Sequence, residues 1–198
     1  FRQLLESLKQ FPTEKVLHIQ RYNRRGVQPT YDEGGERLVV NSQHIGATHL
    51  NYDGLQRTST RAFLGAPEAH IRENDLLIYT TGAYVGQTNV YLSTEPALAS
   101  NHVGILRLKL GIDPAYMALV FQSVIGKFQT EKHARGSAQA ELYPNDLAKF
   151  IVPILDKAKQ RAIGDKLRGS LMKSQESKQL LEQAKSRVEQ LIEEAIAS

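Results

Sequence analysis

The chain has 198 residues, 41% of them hydrophobic, enough for one ordinary domain with an appendage or two very small domains. It contains no cysteine, which excludes disulfide frameworks, thiolate-rich zinc sites and cysteine nucleophiles and fits a reducing cytoplasm. A net charge of +4 permits a polyanionic partner without demanding one, and no apolar run approaches the roughly 18 residues of a membrane span. No signal peptide is expected, and Phe1 in place of Met fits a chain trimmed or excised from a longer polypeptide.

In chain order, Leu4, Leu8 and Phe11 recur at helical spacing, so residues 1–11 are expected to form a short amphipathic helix ended by Pro12. Residues 15–20 read as a strand, and 21–36 as a loop rich in Gly, Arg and Asn. Strand-like runs follow at 37–41, 75–81, 89–93 and 103–110. In the last, Leu106, Leu108 and Leu110 alternate with Arg107 and Lys109, the period of a half-buried strand. Asp113-Pro114 joins an N-cap acceptor to proline at the first helical position, and Tyr116, Val120, Val124 and Phe128 are expected to line one face of the helix it opens. A Gly/Ser/Gln loop at 134–146 leads into a strand at 150–154, where Pro153 predicts an edge or an ending.

From residue 156 onward there is no proline. Ile163, Leu167, Ser170, Ser174, Ser177, Leu181, Ala184, Val188, Leu191 and Ala195 follow one another in steps of three and four, a heptad seam with a polar middle. Such a helix of about 40 residues is roughly 60 Å long, too long to bury its stripe against a body of about 150 residues. A partner helix is expected, the apolar seam positions Ile163, Leu167, Leu181, Ala184, Val188, Leu191 and Ala195 forming the interface; a solvated, fraying helix is the alternative. Charge is polarised along it: residues 157–178 hold seven basic and two acidic side chains, residues 179–198 two basic and four acidic.

Catalytic signatures are absent. There is no Asn/Asp-Pro-Pro-aromatic tetrapeptide or Gly-x-Gly loop for an adenine methyltransferase, no Gly-Lys-Ser/Thr for a P-loop, and no His-Glu-x-x-His. Arg107-Leu108-Lys109 approximates the end of a nuclease motif, with arginine where a magnesium-binding acid belongs. The chain is therefore expected not to be an enzyme.

Residues 73–87, ENDLLIYTTGAYVGQ, resemble the core motif of the specificity subunits of type I restriction–modification systems, with Asn74 in place of a glycine. Asp113-Pro114-Ala115-Tyr116-Met117 resembles that family's helix start. Gly136-Ser137-Ala138-Gln139 with Leu142 and Leu147 resembles its loop, and Ile151-Val152-Pro153-Ile154 with Gln160 and Ile163 its entry to a conserved long helix. All four occur in the family's order; residues 1–72 match only loosely. The resemblance implies an α+β fold: a compact mixed-sheet target-recognition domain with peripheral helices over 1–154, then a long coiled-coil helix over 155–198. It implies one of the two recognition domains such subunits carry, each reading half of a bipartite site in double-stranded DNA. Long helices then pair antiparallel, set the half-site spacing and hold methyltransferase subunits. The expected partners are thus DNA, a methyltransferase subunit or fused domain, and a second recognition module. S-adenosylmethionine and magnesium belong to those partners, with no cofactor or metal in this chain, no membrane partner and a cytoplasmic location.

A DNA reader needs cations for phosphates and multidentate groups for base edges. Arg21, Tyr22, Asn23, Arg24 and Arg25 offer both within five residues, unless they form only a solvated polar loop. Lys132, His133, Arg135, Ser137 and Gln139 form a second cluster. The turn after Thr81 is the third: Gly82 and Gly86 let Tyr84 and Gln87 project, unless Tyr84 and Val85 simply pack beneath the hairpin. Two other functions are weighed: a coiled-coil assembly protein without sequence-specific DNA binding, and a nuclease lacking a recognisable motif.

Overall fold

The computed structural model describes residues 6, 8, 10–136 and 139–197. Of the helix expected over 1–11, Glu6 and Leu8 are helical; most of that segment, like Ser137 and Ala138, lies outside the described residues.

Two four-stranded sheets lie face to face. The first, in order β2 (Gln20–Arg25), β9 (Val103–Leu108), β6 (Leu76–Tyr79), β7 (Thr88–Val90), is antiparallel throughout. The second runs β4 (Gln56–Thr58), β3 (Arg37–Val40), β8 (Ala97–Ala99), β5 (His70–Ile71), with β3 and β8 parallel. A two-stranded ladder pairs β1 (Thr13–Lys15) with β10 (Ile151–Pro153), so Pro153 does sit on an edge.

Alternation along the first sheet builds two cores from one set of strands. Leu76, Ile78, Val90 and Leu106 face α3 (Pro114–Gln122), where they meet Tyr116, Met117, Val120 and Phe121. Leu77, Val103 and Ile105 face the second sheet and meet Val40, Ile71, Ala97 and Ala99. Beyond it, Phe63 of the short helix α2 (Thr60–Leu64) joins Val39, Ala69 and Leu98. Each Val, Leu, Ile, Met or Phe among these contributes about 1.5–3 kcal/mol by leaving water, so the first sheet, buried on both faces, is the rigid platform.

Local chemistry sets the helix ends. The Asp113 carboxylate accepts from the Tyr116 amide at 2.9 Å with Pro114 at the first turn, as expected. The single helix expected through Phe128 is instead two. Ser123 is extended (ψ 174°), and its hydroxyl caps α4 (Val124–His133). Val124 and Phe128 therefore rotate off the buried face, 51% and 39% exposed. The strand expected over 15–20 is likewise broken: β1 ends at Lys15, a single turn α1 (Val16–Ile19) buries Val16 and Ile19, and β2 begins at Gln20.

A short helix α5 (Pro144–Leu147) precedes β10, and α6 (Lys157–Ala197) closes the chain. Its base belongs to the body: Ile163 and Leu167 pack on the first core, correcting their assignment to an intermolecular seam. Gln160, 2% exposed, accepts from the Asp113 amide at 2.9 Å and donates to the Leu155 carbonyl at 2.7 Å. Arg168 holds both oxygens of Asp113 at 2.9 and 3.0 Å. From Met172 to Ile196 every residue is exposed, including Leu181, Ala184, Val188, Leu191 and Ala195.

Candidate nucleic-acid interface

Three segments remote in sequence meet at one end of the first sheet. Beyond β6, the Gly82 amide donates to the Ala140 carbonyl and the Leu142 amide to the Thr80 carbonyl, both at 2.9 Å. Arg135 and Glu141 exchange backbone bonds at 2.8 and 2.7 Å, so these two form the arms of a hairpin bridged to Thr81. Arg25, last residue of β2, reaches both: Nε donates to the Asn101 carbonyl at 3.1 Å and a terminal nitrogen to the Thr81 hydroxyl at 2.6 Å. Its guanidinium lies 5.5 Å from the Tyr143 ring centre. Gly26 permits this arrangement, because a Cβ there would stand 2.2 Å from the Ala99 carbonyl oxygen.

The structure divides the expected site residues. Residues 21–25 form a strand, not a loop, because β9 supplies a pairing partner invisible in the local sequence. Tyr22 is half-buried beneath the Arg107 guanidinium, which lies 5.1 Å from its ring centre, and its hydroxyl donates to the Glu68 carbonyl. The Asn23 amide nitrogen donates to the Gln20 side chain and the Pro144 carbonyl at 2.8 and 2.9 Å, so its donors are occupied. Thr81 is buried and bonded to Arg25. These three support the surface rather than form it. Arg24 is exposed on the sheet face opposite Asn23 and Arg25, and Arg21 is exposed at a bulge in β2.

Around the hairpin, Lys132, Arg135 and Gln139 are exposed and His133 is half-buried, its ring 5.7 Å from that of Phe150. Burial, helped by Lys132 and Lys149, pushes the His133 imidazole below its ordinary value, so its role as a cation is weak at neutral pH. Arg135 and Lys149 bond the same Asp146 oxygen at 2.7 and 2.8 Å. Burial alone would raise the Asp146 carboxyl, but the two cations hold it below the usual range. In the third segment the two expected alternatives are split between neighbours: Tyr84 projects, 61% exposed, while Val85 packs on the core. Gly86 (φ 89°) is required, since a Cβ would lie 2.5 Å from Thr130 Oγ1. Gln87 is half-exposed on a cleft of about 610 Å³ shared with Tyr84 and Lys127.

Sequence reasoning missed Glu141 and Tyr143, which complete the Arg25–Thr81 network, and Asp146. Arg107 serves neither metal nor base: Asp75, fully buried, takes its two nitrogens at 2.7 Å each. Among the described residues, no group of three or more His, Asp or Glu is placed to hold a metal ion, and no helix is long and apolar enough to cross a membrane.

The paired sheets, the helix-backed platform and the protruding α6 give this chain the fold of type I restriction–modification S subunits. The S subunit of the M. genitalium type I system matches with a TM-score of 0.54 at 14% identity, over 79% of this chain and 37% of its own. The HsdS subunit of Thermoanaerobacter tengcongensis matches with a TM-score of 0.58 at 18% identity, over 82% and 38%. A chain from a type I restriction–modification system solved for its complex assembly and conformational transition gives 0.61 at 16% identity, over 96% and 52%. The chain thus spans about a third to a half of the proteins it matches. No family model matches it, and no curated protein matches it in sequence.

Proposed function

We propose that this chain is a non-catalytic, sequence-reading DNA module of a restriction–modification system, one recognition domain and one spacing helix, that directs a methyltransferase partner to its target. The convergence of Arg135, Gln139 and Tyr84 at one end of a rigid sheet, with Arg25 tying the segments together, carries the reading, on a fold shared with S subunits. Loops held by a platform buried on both faces present base-reading groups without a large ordering cost. S-adenosylmethionine and magnesium belong to the partner, and the apolar positions of α6 beyond Met172 receive a second helix.

Selection from random duplexes, with and without the methyltransferase, tests this. Enrichment of one motif is expected; enrichment of none sinks the proposal. The alternative of a pure assembly protein is separated by truncation. The cut belongs after residue 171, since Gln160, Ile163 and Leu167 are core. A recognition module keeps weak, salt-sensitive DNA binding after that cut, whereas an assembly protein loses its activity.

A further inference from the structure

Glu141 lies on the returning arm of the hairpin, paired with both Arg135 and Thr81. A carboxylate repels phosphates, so its place within a basic surface calls for a role other than backbone contact. Pairing with Arg25 does not exhaust that role. Nη1 stands 3.8 Å from Oε1, an ion pair without a hydrogen bond, while Nε and Nη2 are committed to Asn101 and Thr81. Tyr143 donates its hydroxyl to Oε2. Oε1 is left with the Thr81 hydroxyl at 3.4 Å, a long and weak bond, and so keeps acceptor capacity. The side chain is 30% exposed, on a recess of about 370 Å³ lined also by Arg135, Gly136, Gln139 and Tyr143. The Tyr143 hydroxyl, with Arg25 and Thr81 behind it, holds the Glu141 carboxyl below its usual range, so it is ionised at neutral pH.

We propose that Glu141 reads one base of the target, Oε1 accepting from the exocyclic amino group of cytosine or adenine in the major groove. Arg25 and Tyr143 are the positioning residues that aim it. The inference rests on the DNA-reading role proposed above. A carboxylate has no donor for the acceptor edges of guanine or thymine, so one group both selects amino-bearing bases and rejects the others.

Selection from random duplexes is run on the 198-residue chain and on its Glu141→Gln variant, which keeps the shape and adds a donor. The unaltered chain is expected to require cytosine or adenine at one position, which also identifies the base read. Glu141→Gln is expected to lower discrimination there by about tenfold while other positions keep their weights. Tyr143→Phe, which keeps the carboxylate and removes its partner, is expected to weaken the same position. Identical motifs for the chain and Glu141→Gln overturn the assignment and leave the DNA-reading role standing. So does a uniform loss at every position, which marks a structural support. An unaltered chain that selects no motif sinks that role, and this inference with it.

Discussion

Asn74 is the non-glycine residue, among those described, that adopts a left-handed backbone, with φ of 69°. It stands where the S-subunit motif has glycine, and asparagine is the side chain best able to follow glycine there. Asn74→Gly is therefore expected to change stability by less than about 0.5 kcal/mol and Asn74→Ala to cost about 1 kcal/mol, read from denaturant midpoints. Next to it, Asp75 carries a steeper penalty. Removing it as Asp75→Ala leaves Arg107 without its bidentate partner and the Arg72 amide without an acceptor, and about 3–5 kcal/mol of destabilisation is expected. Residue identity foretold these local backbone and capping roles, at Asn74 and at Asp113, because their partners lie within a few residues. It did not foretell that Asn23 and Thr81 turn their polar groups inward, because their partners lie 121 and 56 residues away.

Among the elements, β3, β6 and β9 stand close to where the sequence puts them. But β9 ends at Leu108, so Leu110 is 99% exposed and not part of the alternating face, and β7 covers only the start of the run expected over 89–93. The strands β4, β5 and β8, two or three residues each, carry no period of their own and exist through pairing, β8 with β3 across nearly sixty residues. For α6 the spacing was right and its use was mixed, since periodicity alone cannot tell which body covers a stripe. The base is covered by the chain's own core and the remainder stands in water. Two substitutions on this helix are expected to part company. Gln160→Ala leaves the Asp113 amide and Leu155 carbonyl without partners and costs about 1–3 kcal/mol of folding stability. Leu191→Asp leaves unfolding unchanged and lowers self-association, as sedimentation at rising concentration would report.

Over the whole molecule, acid is expected to weaken the fold in two stages. Burial pushes the His44 imidazole down, so the unfolded chain binds the proton more tightly and stability falls as pH drops through about 6.5. Asp146, held below its usual range, contributes stability that is complete above about pH 4 and lost as pH falls through its lower folded value. Denaturant midpoints for the chain and for His44→Gln at pH 7.5 and 5.5 check the first stage, which the variant should lack. DNA binding by the exposed cations has its own signature: six phosphate contacts would give a slope near −5 in log K against log salt.

The clamp of Asp113, Gln160 and Arg168 makes α6 a lever with a stiff root. Beyond the Lys178–Asp53 ion pair at 2.9 Å, about 19 residues extend past the body, roughly 28 Å at 1.5 Å per residue. A tilt of 10° about that last contact would swing the far tip by about 5 Å, more than one base-pair step of roughly 3.4 Å. One arginine and one glutamine at the root thereby govern how sharply anything carried at the tip is aimed. Loosening them would blur distance along the duplex before it blurred which bases are read.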